Sequence, residues 1–555
     1  MKVDDSRRTF GTRQMNRTSR FLFASLLLGF ACTAVAQDGA KDKKPDEKKQ
    51  ETKADEKKDD GRLPHTKLMP AKLMPNLCVV KYRVSTSSPE CQAFFDQGLG
   101  FYYSYVYMEA ARSFETAVKH DPNCALAWWG LSKACERWYK AAYQPPLKKA
   151  QELLSHCNER EMRLIKARLQ EKGLIDTIKQ EDRKKEAVKT LDELLTLYDD
   201  DEEGWFCRAQ VAEGPNSAVP FYKALLRINP QHPGAHHELV HHYENISRPA
   251  LGWPHAEGYV QSSPGIPHAL HMQAHLAMRI GKWEKTTDRS AKAIELEEAY
   301  HKLMGVQPGE DQQFSHHLET LMQSLIHDGR FKEAHEIRKK CEFHKFTSQR
   351  KHWFQLALDE RDWDEALKHA NANGKDKLTA SFQRALVYIN KGEVDRARAE
   401  VEVLREAYLT NRNKDLELRL WLTQGHLQCM AGEGDAGGKL LAKIVQKTKD
   451  DYYRHAWGHG AYFMESWGIG ALKANRLAAA EEAFLESLAH DAGSVRGALG
   501  MMVVCERMGR TEELNRFAEL AQRCWRKADP GLIQSELEYM RSLGTAVSAS
   551  TSIEK

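Results

Sequence analysis

The segment between residues 91 and 124 constrains the fold of this chain more than any other part of the sequence. It carries large and small apolar residues in the register of two antiparallel helices followed by a break. Small residues let the two helices approach closely, bulky residues fill the gap between them, and a proline ends the second helix. The residues in this register are Phe94, Gly98, Phe101, Ala110, Phe114, Ala117 and Pro122. The preceding Ser88-Pro89 pair is typical of a helix start, with serine as the N-cap.

This register is that of the 34-residue tetratricopeptide repeat, and weaker copies follow along the chain. The copies place small or aromatic residues at the corresponding positions: Ala218, Tyr222, Gly329, Ala334, Ala385, Tyr388, Gly392, Ala397, Gly468, Ala471, Ala480 and Phe484. Stacked helix hairpins of this kind bury a continuous core and leave a concave surface lined by the first helix of each pair. The sequence therefore predicts an all-α solenoid of antiparallel helix pairs from about residue 88 to residue 542.

The N-terminus predicts export. A leader with five arginines precedes the apolar run FLFASLLLGFA at residues 21–31, which is too short to span a bilayer as an anchor. The small-x-small pattern at residues 34–36 then predicts cleavage before Gln37. We expect a signal peptide over residues 1–36, a periplasmic or extracellular location, and no membrane span in the mature chain.

Two details of the leader leave the export route open. The arginine pair in residues 6–10 resembles a twin-arginine motif, but it lies far from the apolar run. Cys32 is an alternative lipidation site, which is disfavoured because Gly29 stands where a lipobox usually has leucine. General secretion without a lipid anchor is the prediction.

Composition shifts predict the remaining boundaries. Residues 37–87 begin as an almost purely charged stretch, and we predict a disordered linker there, with one short strand at LCVVKYRV. Helical repeats are assigned to an N-terminal region, residues 88–300, and a C-terminal region, residues 301–542. Residues 543–555 are predicted to be a flexible tail.

Charge and cysteine content exclude some functions. A formal net charge of +4 is small for 555 residues, and no basic stripe with interleaved aromatic residues is present, so a nucleic-acid partner is not expected. Of the 11 cysteines, cleavage would remove Cys32, and the others show no C-x-x-C pair. One or two disulfides fit an oxidising compartment, but the sequence does not pair them.

Histidines are concentrated in one region of the sequence. Nine of the chain's 24 histidines fall between residues 232 and 275. The first group, HPGAHHELVHHYE, contains an H-E-x-x-H pattern. At about 100° per residue, His237, His241 and Glu244 fall on one stripe of a helix. The second group, IPHALHMQAHL, likewise places His268, His271 and His275 on one helix face.

These two stripes predict a metal site if their helices are neighbours. Imidazoles one helical turn apart bind a single transition-metal ion, and Zn²⁺ is the expected ion. The alternative is that the histidines connect the helices through hydrogen bonds without any ion. Both interpretations stay open at the level of sequence.

Together these motifs resemble a family of exported bacterial proteins with degenerate tetratricopeptide repeats. The family pattern is HPGA-x-H-x-x-x-H-x-Y-[DE] followed by PHALHM-x-x-H, and a further resemblance lies in WRKADPGL near the C-terminus. The resemblance places positions of the family pattern at His232, His237, His241, Tyr243, Glu244, His268, His271, Met272, His275 and His316. The family usually has an aromatic residue at the position of Glu238. A catalytic base is not optional, so the resemblance argues against a zinc protease.

Three functions are compatible with these patterns. The predicted one is a binding scaffold, not an enzyme, that holds a protein or peptide partner on its concave surface. The alternatives are a metal-dependent hydrolase and a metal-trafficking protein. Both would use His237, His241, Glu244, His268, His271, His275 and His316 as metal ligands or near-ligands.

Overall fold

The computed structural model describes residues 60–138, 142–311, 313–347, 350–372, 376–449 and 461–545. This part of the chain contains 25 α-helices and no β-strand. The predicted signal peptide, Cys32 and residues 37–59 of the predicted linker lie outside the described residues. So do residues 546–555 of the predicted tail.

The helices follow one another in antiparallel pairs, each packed against its neighbours in sequence. The first group is α1 (Pro89–Tyr103), α2 (Tyr107–His120), α3 (Ala125–Arg137), α4 (Gln144–Glu152), α5 (Glu159–Lys172), α6 (Arg183–Leu197), α7 (Glu202–Gln210) and α8 (Pro215–Ile228). The middle group is α9 (Pro233–Asn245), α10 (Pro249–Ser262), α11 (Pro267–Arg279), α12 (Trp283–Met304), α13 (Phe314–His327) and α14 (Phe331–Phe343). The last group is α15 (Arg350–Asp359), α16 (Trp363–Ala372), α17 (Lys377–Lys391), α18 (Val394–Thr410), α19 (Lys414–Met430), α20 (Gly434–Thr448), α21 (Tyr462–Lys473), α22 (Leu477–His490), α23 (Val495–Met508), α24 (Thr511–Cys524) and α25 (Leu532–Ser542). The predicted all-α solenoid of helix pairs is confirmed.

Close packing at glycines explains the repeat register. Phe114 on α2 lies between Gly98 on α1 and Gly130 on α3, and a Cβ atom at either glycine would lie 2.7 Å from its ring. Phe484 on α22 occupies the same place between Gly468 and Gly500. Phe114 and Phe484 are both buried. The spacing is the same in both cases, so one aromatic ring fills the gap between three successive helices at two distant points of the solenoid.

The start of the first repeat follows the prediction. Ser88 is the N-cap of α1, and its hydroxyl accepts a hydrogen bond from the backbone N–H of Cys91 at 3.1 Å. Pro89 occupies the first turn, where a missing N–H costs nothing.

Residues 60–87, which precede this helix, are ordered, so the prediction of a disordered linker is wrong for them. Leu63, Leu77 and Val84 are buried against the first helices. Side chains of α1 and α2 accept six backbone hydrogen bonds from this segment: Glu115 from His65 and Thr66, Thr116 from Ala71, Gln97 from Met74, Asp96 from Tyr82 and Gln92 from Val84. The predicted strand is therefore absent, because the backbone donors of the segment are used by helix side chains.

The predicted division at residue 300 falls inside a helix. Helix α12 runs without a break from Trp283 to Met304, and the described residues from Asp60 onward belong to one compact unit. The predicted boundary between an N-terminal and a C-terminal region is therefore not a domain boundary. At the other end, Leu543 is buried, so the predicted flexible tail does not include it.

The C-terminal half of the solenoid folds back on the middle of the chain. Residues 525–531, which we call the latch, lie against the start of α12 and the turn after α13. The indole N–H of Trp525 donates to the carbonyl of His327 at 2.8 Å, and the backbone N–H of Asp529 donates to the carbonyl of Gly329 at 2.8 Å. Lys527 forms an ion pair with Asp288 at 2.8 Å. Helices α13 to α24 thus form a ring closed by the latch.

The ten cysteines of the described residues are all free thiols. No helix in this part of the chain is long and apolar enough to cross a membrane.

Candidate metal centre

Three helices bring the predicted histidines together. Helix α9 begins at Pro233, and the His232 side chain caps it by accepting a hydrogen bond from the N–H of Ala235 at 3.1 Å. Helix α11 begins at Pro267, directly before His268. Helix α10 connects the two, so α9 and α11 are the first helices of successive hairpins and lie on the same side of the solenoid. Helix α13 adds His316 from the next hairpin.

The structure divides these histidines into two adjacent groups instead of one. His237, His241 and His268, the first trio, have ligand atoms within 4.8 Å of one another, and so have His271, His275 and His316, the second trio. The stripe on α11 is split, because His268 turns toward α9 and its two partners turn toward α13. His268 and His271 join the trios, with ring centroids 5.6 Å apart.

The first trio points its nitrogen atoms at a common place. Nε2 of His237 lies 3.0 Å from Nε2 of His241 and 3.0 Å from Nε2 of His268. Nδ1 of His237 lies 2.6 Å from the carbonyl oxygen of Tyr103. Since a carbonyl oxygen only accepts, Nδ1 carries the proton, and Nε2 of the neutral ring presents a lone pair to its two neighbours.

Aromatic rings surround the first trio. The ring of Tyr105 stacks on His241 with centroids 5.6 Å apart, and the ring of Tyr259 stacks on His237 at 4.9 Å. Tyr105 lies in the turn between α1 and α2 with a φ of 61°, a left-handed conformation that is uncommon for an aromatic residue. Strained residues of this kind concentrate at functional sites. No sequence pattern indicated Tyr105, because it belongs to a hairpin more than 100 residues before these histidines.

The second trio is more open to solvent. The rings of His275 and His316 lie 4.3 Å and 4.8 Å from the ring of His271. His271 and His275 are buried, whereas His316 is exposed. Any ion held by this trio would therefore be reached from the His316 side.

Glu244 lies beside the trios and not among their ligands. One of its oxygens accepts a hydrogen bond from Arg279 Nε at 3.0 Å. The same oxygen lies 2.9 Å from Arg279 Nη2 in an ion pair and 3.4 Å from Nδ1 of His275. Burial opposes its ionisation, yet His275 and Arg279 together hold the pKa of Glu244 below its usual range. The carboxylate is thus placed to orient the His275 ring, as carboxylates behind metal-binding histidines do.

His317 is a neighbour of the cluster that the sequence prediction missed. Its ring lies 4.2 Å from that of His271, and its Nδ1 lies 2.8 Å from a carboxyl oxygen of Glu297 on α12. Nε2 of His317 is buried and has no hydrogen-bond partner among the described residues. The HisHis pair at residues 316–317 was the available signal, but the partner Glu297 is assigned only by the packing of α12 on α13.

The glutamate of the H-E-x-x-H pattern has a separate environment. The hydroxyl of Tyr105 donates to Glu238 at 2.9 Å, and Glu238 has no oxygen within the first trio's group of ligand atoms. His236 bonds to the carbonyl of Pro230 at 2.9 Å and is likewise outside both trios. This geometry is unlike that of a zinc protease, whose glutamate contacts the metal-bound water.

Burial keeps the three imidazoles of the first trio uncharged at neutral pH. It lowers the pKa of His237 and of His268 well below the usual range, and it lowers the pKa of His241 to about 4. Neutral imidazoles present the lone pairs that metal coordination needs. Nδ1 of His268 and Nδ1 of His271 are also buried without a hydrogen-bond partner in the described part of the chain.

Comparison with known proteins found similarity to solved repeat structures and to no protein family model or curated protein. A tetratricopeptide repeat protein from Parabacteroides merdae ATCC 43184 aligns with 13% identity over 49% of this chain and 98% of its own, with a TM-score of 0.30. Yeast Tom70 aligns with 13% identity over 83% of this chain and 97% of its own, with a TM-score of 0.33. Nothing about ligand or partner follows at these values.

Fold and site together define the class of protein. The chain is an all-α helical-repeat solenoid of tetratricopeptide type, with a buried histidine-rich centre where its ninth, eleventh and thirteenth helices meet.

Proposed function

We propose that this chain is a metal-binding solenoid in which the two trios hold Zn²⁺ or another ion that prefers imidazole ligands. The observation that carries this proposal is the convergence of three Nε2 atoms in the first trio, with His237 fixed by the Tyr103 carbonyl. A neutral histidine with a purely structural role donates one hydrogen bond through its N–H and accepts one at its other ring nitrogen. Three imidazole nitrogens directed at one another do not satisfy each other well, because His237 Nε2 has one lone pair for two neighbours.

The spacing of the nitrogens fits a metal ion. At a zinc–nitrogen distance of about 2.0–2.1 Å, tetrahedral ligands lie roughly 3.3 Å apart. The Nε2 atoms of His241 and His268 lie 3.0 Å from that of His237, so a small outward movement of each ring would suffice. The unpartnered Nδ1 atoms described above also point to polar contacts beyond those that the protein makes with itself.

Three histidines leave a fourth position open. Such open sites bind a water molecule or a substrate group, and the ion acts there as a Lewis acid. The residues of this chain would provide the ligands, the Tyr103 carbonyl that orients His237, and the Glu244 carboxylate behind His275. All-imidazole sets suit Zn²⁺, Cu²⁺, Ni²⁺ or Fe²⁺, whereas Mg²⁺ and Ca²⁺ prefer oxygen.

Metal content of paired variants tests the proposal. The purified chain is loaded with Zn²⁺, desalted, and analysed by mass spectrometry for bound metal. We expect up to two ions for each chain, with one lost in His237→Ala/His241→Ala and one lost in His271→Ala/His275→Ala. Substitution of Co²⁺ gives an absorption spectrum that reports tetrahedral coordination independently of any activity.

His335→Ala is the matched control. His335 is a partly exposed histidine on α14 that pairs with Glu360 at 2.9 Å and lies outside both trios. Its variant should retain the metal content of the unmodified chain. The proposal would be refuted if the unmodified chain, the two double variants and the control all contained the same amount of metal, or if none of them retained any.

A partner-binding scaffold is the second candidate function. The observation that favours it is the repeated hairpin architecture, whose first helices line one continuous side of the solenoid. On this proposal the histidines connect α9, α11 and α13 without an ion. The same metal analysis separates the two functions, since a scaffold of this kind retains no stoichiometric metal.

A further inference from the structure

The closed ring of the C-terminal half surrounds a cavity of about 490 Å³. Its wall is formed by the first helices of successive hairpins, α13, α15, α17, α19, α21 and α23, and by Trp525 of the latch. This volume is in the range of sites for small organic ligands. The ring cavity is separate from the histidine trios, none of whose residues line it.

Aromatic side chains give the cavity an apolar interior. Trp283, Phe354, Phe382, Tyr462, Phe463 and Trp525 line it. Trp283 is fixed in position, because its indole N–H donates to Asp491 Oδ2 at 3.0 Å and its ring stacks on His327 at 3.9 Å. The rings are therefore held by contacts that also close the ring of helices.

The basic residues of the wall already have partners. Arg496 pairs with Asp359 at 2.9 Å and with Glu536 at 2.9 Å, and Lys351 pairs with Glu319 at 2.7 Å. Arg419 donates to the hydroxyl of Thr379 at 2.9 Å. Most of the positive charge that faces the cavity is thus neutralised within the protein.

Two carboxylates of the same wall form no ion pair among the described residues, although Arg496 attracts Glu465 at longer range. Glu465 accepts one hydrogen bond, from the Ser494 hydroxyl at 2.6 Å. Asp491 accepts hydrogen bonds from Trp283 and from the backbone N–H of Gly493 at 2.9 Å. In the described part of the chain, neither carboxyl group forms an ion pair with lysine or arginine. An enclosed carboxylate without a counter-charge is costly, and a bound cation offsets that cost.

We propose that the ring cavity binds a small organic cation, an amine or amidinium group on an apolar body, with Glu465 and Asp491 as its anionic partners. The aromatic wall would contact the apolar body and the ring faces would add cation–π attraction. This inference is independent of the proposed metal centre, because it uses residues of α21, the turn before α23 and the latch. Burial raises the pKa of Glu465 to about 7, against the opposing charge of Arg496, and it raises the pKa of Asp491 to about 6.

A charge series of nearly equal shape tests the proposal. Benzamidine is the cationic probe, benzamide its neutral analogue and benzoate its anionic analogue, each titrated into the full chain by calorimetry at pH 8. We expect one benzamidine for each chain and at least about tenfold weaker binding of the other two, because charge-assisted hydrogen bonds are the strong ones. A capped tripeptide that carries one arginine serves as an additional probe. If the tripeptide binds, the source of the cation is a peptide side chain. If benzamidine binds and the tripeptide does not, the source is a free small molecule.

Glu465→Gln removes the charge and keeps the side-chain size. We expect benzamidine binding to weaken at least about tenfold, while the melting temperature shows that the variant is folded. Glu482→Gln is the matched control, since Glu482 is an exposed residue on α22 with no such role. Leu418→Trp fills the cavity from α19 and should abolish binding of every probe. Equal binding of benzamidine and benzoate, or unchanged binding in both Glu465→Gln and Leu418→Trp, would overturn the proposal.

Discussion

The carboxyl group of Glu465 makes the stability of this protein depend on pH in a range where few glutamates titrate. Burial raises its pKa from the ordinary 4.5 to about 7. In the unfolded chain the group loses its proton near its ordinary pKa, whereas in the folded protein it keeps the proton up to about pH 7. The folded state therefore binds more protons between these values, so the free energy of unfolding falls as pH rises through this window.

The size of the effect follows from the same shift. At about 1.4 kcal/mol for each pH unit, the full change corresponds to about 3 kcal/mol, and we expect about 2 kcal/mol because the group faces a cavity and not solid protein. Glu465→Gln has no charge to lose and retains an acceptor for the Ser494 hydroxyl. The free energy of unfolding of this variant minus that of the unmodified chain should rise from near zero at pH 5 to about 2 kcal/mol at pH 8.

Urea unfolding followed by far-ultraviolet circular dichroism at pH 5, 6, 7 and 8 measures this difference. All other titrating groups are common to both proteins, so they cancel in the comparison. Glu482→Gln, which removes an exposed carboxylate on α22, is the control measured in parallel. A stability difference between Glu465→Gln and the unmodified chain that stays constant from pH 5 to pH 8 would contradict the burial argument.

Three further predictions concern packing and the metal centre. Phe114→Ala should lower the free energy of unfolding by about 3–5 kcal/mol, against less than about 0.5 kcal/mol for Phe343→Ala at an exposed site, as measured by urea unfolding. Gly329→Ala, at a φ of 70° and against the latch, should lower the melting temperature more than Gly392→Ala, at a φ of 80° with open space around it. An equal loss of melting temperature in the two glycine variants would mean that the contact between Gly329 and the latch contributes nothing to stability. Glu238→Gln should leave the Zn²⁺ content unchanged, and loss of the ion would make this residue a ligand.

The hairpins were predictable from sequence because their determinants are local. Gly98 and Phe114 are 16 residues apart and belong to one hairpin, so the spacing of small and bulky residues encodes their contact directly. The stripe on α9 was predictable in the same way, from helical periodicity alone. Whether α9 and α11 are neighbours was left open by the sequence. The structure makes them the first helices of successive hairpins, which brings His237 and His268 together.

The rest of the site depends on contacts that periodicity does not encode. The split of the α11 stripe into two trios is decided by how α11 sits between α9 and α13, not by the positions of its histidines along the helix. Tyr105 reaches His241 from the first hairpin, and Glu297 reaches His317 from a helix whose length the sequence did not reveal. Residues 60–87 were misjudged because their order comes from polar side chains of α1 and α2 that accept their backbone hydrogen bonds.

Ring closure was the largest feature that the sequence left out. Trp525 and His327 are nearly 200 residues apart, and a repeat pattern determines only how each hairpin packs on the next one. Small rotations between successive hairpins add up along the chain, and closure depends on their sum. The WRKADPGL segment stood out as a motif, yet only the structure shows that it closes the ring.

The two proposed sites share one helix, and this fixes which variants test them independently. Helix α13 carries His316 of the second trio near its start and His327, which lines the ring cavity, at its end, about 16 Å away along the helix axis. A displacement of α13 would therefore reach both sites. The first trio takes its ligands from α9 and α11, and the unpaired carboxylates of the cavity come from α21 and the turn before α23. His237→Ala/His241→Ala and Glu465→Gln thus perturb separate helices. If there are two sites, the first variant loses metal and binds benzamidine normally, whereas the second keeps its metal and binds benzamidine weakly. Loss of both properties in either variant would instead indicate a general disturbance of the fold.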